Sequence, residues 1–139
     1  MTAKFFISSF VVLLFITGCN FSDMDEKNIE TKKVIFTVDP SLLELTYTFK
    51  DGSREPIISY CLKLTDEKTN ELYALSPQQV KGFSYTEGYQ YRIKVLVTFD
   101  KRITVDPVEN VVITPGGYNF GGGKSYELIE VLSKIKTIN

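Results

Sequence analysis

The chain has 139 residues, with 16 Lys and Arg against 17 Asp and Glu, a formal charge of -1, no His, no Trp and two Cys. That length fits one domain. Without His there is no Ser-His-acid triad, no Cys-His nucleophile pair and no imidazole metal site, and two Cys cannot form a four-thiolate zinc site, so no metal or cofactor is expected. The near-neutral balance gives no electrostatic reason to bind phosphate backbones, so nucleic acid is not an expected partner.

At the amino terminus, Met1 to Lys4 carries one positive charge, and Phe5 to Ile16 is apolar except for Ser8 and Ser9. A helix needs about 20 apolar residues to cross a bilayer, so these twelve have the length of a signal-peptide core rather than of a permanent span. The run ends at Ile16-Thr17-Gly18-Cys19, a tetrad that resembles the bacterial lipoprotein signal. Small Thr17 and Gly18 let a peptidase reach the extended backbone, and the Cys19 thiol can take a thioether-linked diacylglycerol. The resemblance implies cleavage before Cys19, palmitate-type acyl chains, a membrane partner, and an outer-membrane lipoprotein exposed at the surface or facing inward. A plain signal peptide, or a chance Cys in a cytosolic chain, is the competing reading.

Residues 19–31 are polar and acidic with no hydrophobic period, which reads as a lipidated tether ahead of a single domain at 32–139. Within the tether, Ser22, Asp23, Asp25 and Glu26 resemble the acidic signals that send some lipoproteins to the cell surface. An ordinary solvated linker reads the same way.

Beyond the tether, alternation predicts strands. Val34, Phe36 and Val38 share one face, ended by Asp39-Pro40; Leu43, Leu45, Tyr47 and Phe49 share the next, ended by a turn at 50–53. Ile58, Tyr60, Leu62 and Leu64 oppose Ser59, Cys61, Lys63 and Thr65, and 66–70 is a polar turn. Ser76 and Pro77 suggest the N-cap and first position of a short helix, stopped by Gly82. Tyr89 to Phe99 places six apolar side chains on one face, as in an antiparallel sheet wet on its other side. Arg102 to Thr114, interrupted at Asp106-Pro107, suggests two short strands. Five Gly between Pro115 and Gly123 make a permissive loop. Tyr126 to Lys136 fits a helical face or a strand and is taken as a strand. The expected fold is mainly β: a small antiparallel sheet or barrel-like domain with one short helix.

Four blocks, Tyr60–Leu64, Val80–Tyr85, Glu87–Val95 and Tyr126–Lys134, follow one another in an order that resembles the bacterial domain-of-unknown-function family 4377, a small lipoprotein domain also fused to META/HslJ-like domains. The resemblance covers residues 58–136 and implies fold and location; it carries no catalytic residue. The chain departs from the family at Leu72-Tyr73, where many members have Trp, in lacking an earlier Cys to pair with Cys61, and in a longer stretch at 100–125.

The candidate chemistry is sparse. Phe83, Tyr85, Tyr89 and Tyr91 converge either as core packing or as a platform for a glycan or peptide ligand. Gly117 to Ser125 ends in Gly-Lys-Ser, but Tyr118 stands where a phosphate loop needs its first Gly. Asp66, Glu67, Glu71 and Glu87 are carboxylates in or beside turns, available in principle for glycoside hydrolysis. Once Cys19 is acylated, Cys61 is a lone thiol, either buried or free to pair between chains. The sequence therefore reads as a lipid-anchored envelope protein acting as a binding or interaction module for a protein or glycan ligand, not as an enzyme. The alternative is a small envelope hydrolase, or a hydrolase inhibitor, using turn carboxylates or the Gly-rich loop.

Overall fold

The computed structural model describes residues 28–105 and 109–137. Cys19, its recognition residues Ile16, Thr17 and Gly18, and the acidic cluster at 22–26 lie outside the described residues. The domain is mainly β, with strands β1 (Ile29–Val38), β2 (Leu43–Phe49), β3 (Ile57–Asp66), β4 (Leu72–Leu75), β5 (Val80–Lys81), β6 (Tyr89–Asp100), β7 (Val111–Thr114) and β8 (Lys124–Lys136). They form one sheet in the order β5-β8-β6-β1-β3-β2-β7, with β4 added to β3, and the sheet is not closed into a barrel. All pairings are antiparallel except β5 with β8.

β1 begins at Ile29, three residues ahead of the domain boundary expected at 32, because Ile29, Glu30 and Thr31 pair with Asp100, Phe99 and Thr98 of β6. Pro40 interrupts the chain where expected. β1 and β2 then pair with successive stretches of β3, Leu64–Asp66 and Ile57–Cys61. The short helix is a single 3-10 turn at Pro77–Gln79, closed by the Gln79 side chain accepting from the Ser76 N–H at 2.6 Å. Gly82, expected to stop that helix, instead follows β5. Of the two strands expected in 102–114, the described residues show β7 alone; Arg102 to Val105 is a turn and irregular chain.

The core lies in two clusters on opposite faces of β3 and β4. Val34, Phe36, Val38, Leu62, Leu64, Tyr73, Leu75, Ile93, Val95 and Tyr126 belong to the larger. Leu45, Cys61 and Ala74 form the smaller, with Leu43, Tyr47, Ile113, Tyr118 and Phe120 packed against it. In β3 Leu62 and Leu64 feed the first cluster and Cys61 the second. The face predicted to be uniformly apolar therefore changes environment along the strand: Leu62 and Leu64 are buried, but Ile58 and Tyr60 are 55% and 56% exposed.

β8 lies beyond β6 and, among the described residues, pairs on its other side only through Val80 and Lys81. Its register against β6 shifts twice, between Arg92 and Ile93 and between Lys94 and Val95. These bulges explain why the segment fitted two periods: the apolar residues Leu128, Val131 and Leu132 keep no single alternation. Bulges, with Lys134 and Lys136 on the same strand, also blunt an edge that would otherwise template pairing with another chain.

Candidate functional site

The four aromatic residues singled out in the sequence do meet. The Phe83 and Tyr91 rings stand edge to face at 5.0 Å, and Tyr85 and Tyr89 lie 5.9 and 6.5 Å from Tyr91. Gly88, at φ +95°, immediately precedes β6, and its carbonyl accepts from the Thr137 N–H and hydroxyl, each at 2.9 Å, which holds the end of β8 beside the cluster. Phe83 and Tyr91 are only 9% and 2% exposed, so their faces are part of the core. The Tyr91 hydroxyl accepts from the Thr86 N–H at 3.0 Å. The Tyr85 hydroxyl donates to the Asp39 carbonyl at 3.1 Å, and burial, followed by the nearby Glu87 charge, pushes it up to about 12. Only half-buried Tyr85 and Tyr89 form the rim, and Lys134 Nζ sits 4.5 Å from the Tyr89 ring centroid. That contact is a cation–π pair within the protein.

Asp66, Glu67 and Glu71 are engaged in structure. Asp66 is buried and accepts from the Lys68 and Thr69 N–H groups. Glu67 takes a two-pronged bond from Arg92 at 2.8 Å and one from the Thr37 hydroxyl at 2.9 Å, which hold it below the usual carboxylate range. Glu71 accepts from Asn119 at 3.1 Å and from the Tyr73 hydroxyl at 3.0 Å, and it too is held low. Burial, then the bond to Glu71, raises Tyr73. Glu87 is exposed.

The Gly-rich loop is packed against the sheet. Asn119 exchanges backbone bonds with Leu72 and Ala74, adding one rung beside β4, and its side chain accepts from the Gly121 N–H at 2.8 Å. Gly121 has φ +70°, and a Cβ there would meet Leu75 Cδ2 at 2.7 Å and the Tyr126 hydroxyl at 2.9 Å. That hydroxyl is buried without a hydrogen-bond partner among the described residues, and burial pushes it up to about 12. Cys61 is a free, buried thiol beside a shallow hollow of about 280 Å³ shared with Tyr47, Ser59 and Phe120.

Sequence reasoning missed the end of the sheet where the chain enters. There, a hollow of about 470 Å³ is lined by Glu30, Thr31, Lys32, Val97, Phe99 and Lys124. Lys124 Nζ lies 5.8 Å from the Phe99 ring centroid. Next to it, a second hollow of about 410 Å³ includes Ile29, Ile103 and the same Lys124. A sequence signal existed: Lys32 is in phase with the buried Val34, Phe36 and Val38, and Lys124 with buried Tyr126 and half-buried Leu128. The aromatic cluster lies at the opposite end of β1 and β6, where Val38 pairs with Tyr91.

Among the described residues no helix is long and apolar enough to cross a membrane, and no group of three or more Cys, Asp or Glu is placed to hold a metal ion. No family model matches this chain, and no curated protein or solved structure is significantly similar to it. The family resemblance thus rests on its four sequence blocks, which fall in β3, in β5 and the turn after it, in β6 and in β8.

Proposed function

We propose that the protein is a lipid-anchored component of the bacterial cell envelope, related to the domain-of-unknown-function family 4377, that works by binding a protein or glycan partner rather than by catalysis. The carrying observation is the tetrad Ile16-Thr17-Gly18-Cys19, whose Ile16 closes a run of twelve mainly apolar residues. Two or more acyl chains on the new amino terminus hold a protein stably in a bilayer, at about 0.8 kcal/mol per buried methylene. The folded domain supports this reading by starting at Ile29, so that nine residues separate it from Cys19. β1 then runs away from the tether for ten residues, roughly 33 Å at the usual strand rise. The rim of Tyr85 and Tyr89 is thereby carried to the far end of the domain, the end open to a partner. The engaged state of Asp66, Glu67 and Glu71 favours binding over hydrolysis.

Phase partitioning tests the anchor. Wild-type protein is expected in the detergent phase and Cys19→Ser in the aqueous phase, with a diacylglycerol-modified amino-terminal peptide by mass spectrometry in wild type alone. An unmodified, uncleaved leader on wild-type protein overturns the reading. Protease shaving of intact cells then assigns the exposed face.

A further inference from the structure

We propose that the tether end of the domain is itself a membrane-docking face, which seats Ile103 and Val105 among the headgroups of an anionic phospholipid surface with Lys32 and Lys124 beside them. Ile103 and Val105 are 52% and 60% exposed. Ile103 shares a hollow with Ile29 and Lys124, and Val105 lies against Gly122 and Gly123, so the apolar side chains form one patch rather than scattered singles. Other apolar side chains are exposed too, Ile58 and Ile135 among them, but this patch is the one beside the point where the described chain begins. Its margin is basic. Lys32 makes no ion pair among the described residues, and Lys124 stands over Phe99. Among the described residues, the two carboxylates nearby are matched, Glu30 with Lys101 at 2.8 Å and Asp100 with Arg102 at 2.9 Å.

The place where the described chain begins selects lipid over other occupants. The Asn28 carbonyl accepts from the Lys101 N–H at 2.7 Å, so the amino-terminal segment leaves from this same face. Residues 20–28 span at most about 30 Å when extended, which keeps the face within reach of any bilayer that holds Cys19. Apolar side chains rimmed by lysines suit that interface: hydrocarbon contact and attraction to anionic lipid act together. This proposal rests on the anchored reading for its geometry, but its test does not require acylation.

The chain contains no Trp. Ile103→Trp, or Val105→Trp in parallel, therefore places a single reporter in the patch of the full-length protein, and Val112→Trp on β7 serves as the reference. Each is mixed with vesicles of phosphatidylcholine alone or with brominated phosphatidylglycerol. The expected result is a blue-shifted emission quenched by the brominated anionic lipid for the patch reporters and not for Val112→Trp. Adding Lys32→Gln or Lys124→Gln should lower the docked-to-free ratio roughly fivefold for each lysine removed, and raised salt should do likewise. Unquenched patch reporters on anionic vesicles overturn the proposal, whether or not the protein floats with them. A salt-sensitive blue shift without lipid quenching also overturns it, and assigns the patch to the acidic stretch Asp23–Glu26, a second copy or a protein partner. Mass analysis of the amino-terminal peptide is independent, so failure of the anchor and failure of the docking face are read separately.

Discussion

In the larger cluster Phe36, Ile93, Val95 and Tyr126 arrive from three neighbouring strands, with Phe83 and Tyr85 of the turn after β5 packed beside them. In the smaller cluster Leu45, Cys61 and Ala74 also come from strands, but Tyr118 and Phe120 of the Gly-rich loop pack over them. The larger is built mostly from paired strands, whereas the smaller depends on two aromatic side chains of a loop that must be held in place. The ties are individual polar contacts: Asn119 to Glu71 for the loop, and Asn110 Nδ2 to Asp51 at 2.8 Å for the entry to β7. The two regions should therefore fail differently.

The largest effect is expected in the first region. Tyr91→Ala should cost about 3–5 kcal/mol in a denaturant titration, as large aromatic truncations in cores do. Unchanged stability together with loss of a ligand would reassign Tyr91 to a binding platform. Gly121→Ala tests whether the loop is as tightly placed as the core it touches. The crowding against Leu75 and Tyr126 predicts a loss of about 1–3 kcal/mol, and a neutral result would mean that the loop shifts freely.

Acid separates the regions further. Asp51 is held down to about 2 by its bonds to Ser53 and Asn110, against an ordinary value near 3.8, and Glu67, Glu71 and Asp100 are also held low. A depressed carboxylate contributes stability above its unfolded value and loses it as pH falls through its folded one. Thermal midpoints should thus hold from pH 7 to about 4.5 and decline towards pH 2, with the loop losing exchange protection before β6 does. Glu71→Gln should flatten part of that decline. The smallest effect is expected for Tyr126→Phe. Removing a buried hydroxyl that has no partner among the described residues should leave stability unchanged or raise it by up to about 1 kcal/mol. A clear loss would show that the hydroxyl is hydrogen-bonded in solution.

What the sequence revealed follows the same division. β2 and β6 were legible because one face of each is wet, so apolar and polar residues alternate. β4, at Leu72-Tyr73-Ala74-Leu75, was missed: Tyr73 and Leu75 enter one cluster and Ala74 the other, so the run shows no alternation. β5 is two residues long, too short to leave a periodic mark. The change of buried face along β3 depends on which strands flank it, information that its own residues do not hold. For the candidate site, the aromatic cluster was legible because its members sit within nine residues of one another. The hollow between Lys32 and Lys124 was not, because β1, β6 and β8 bring its walls from positions nearly a hundred residues apart.

That β3 and β4 serve both clusters has a kinetic consequence. A hairpin with a hydrophobic side chain committed on each surface cannot open towards one side while the other stays shut, so sub-global fluctuations of the two halves are coupled through it. The amides of Cys61 to Leu64 should exchange only through whole-molecule unfolding, and heat should melt the domain in a single cooperative transition despite its divided interior.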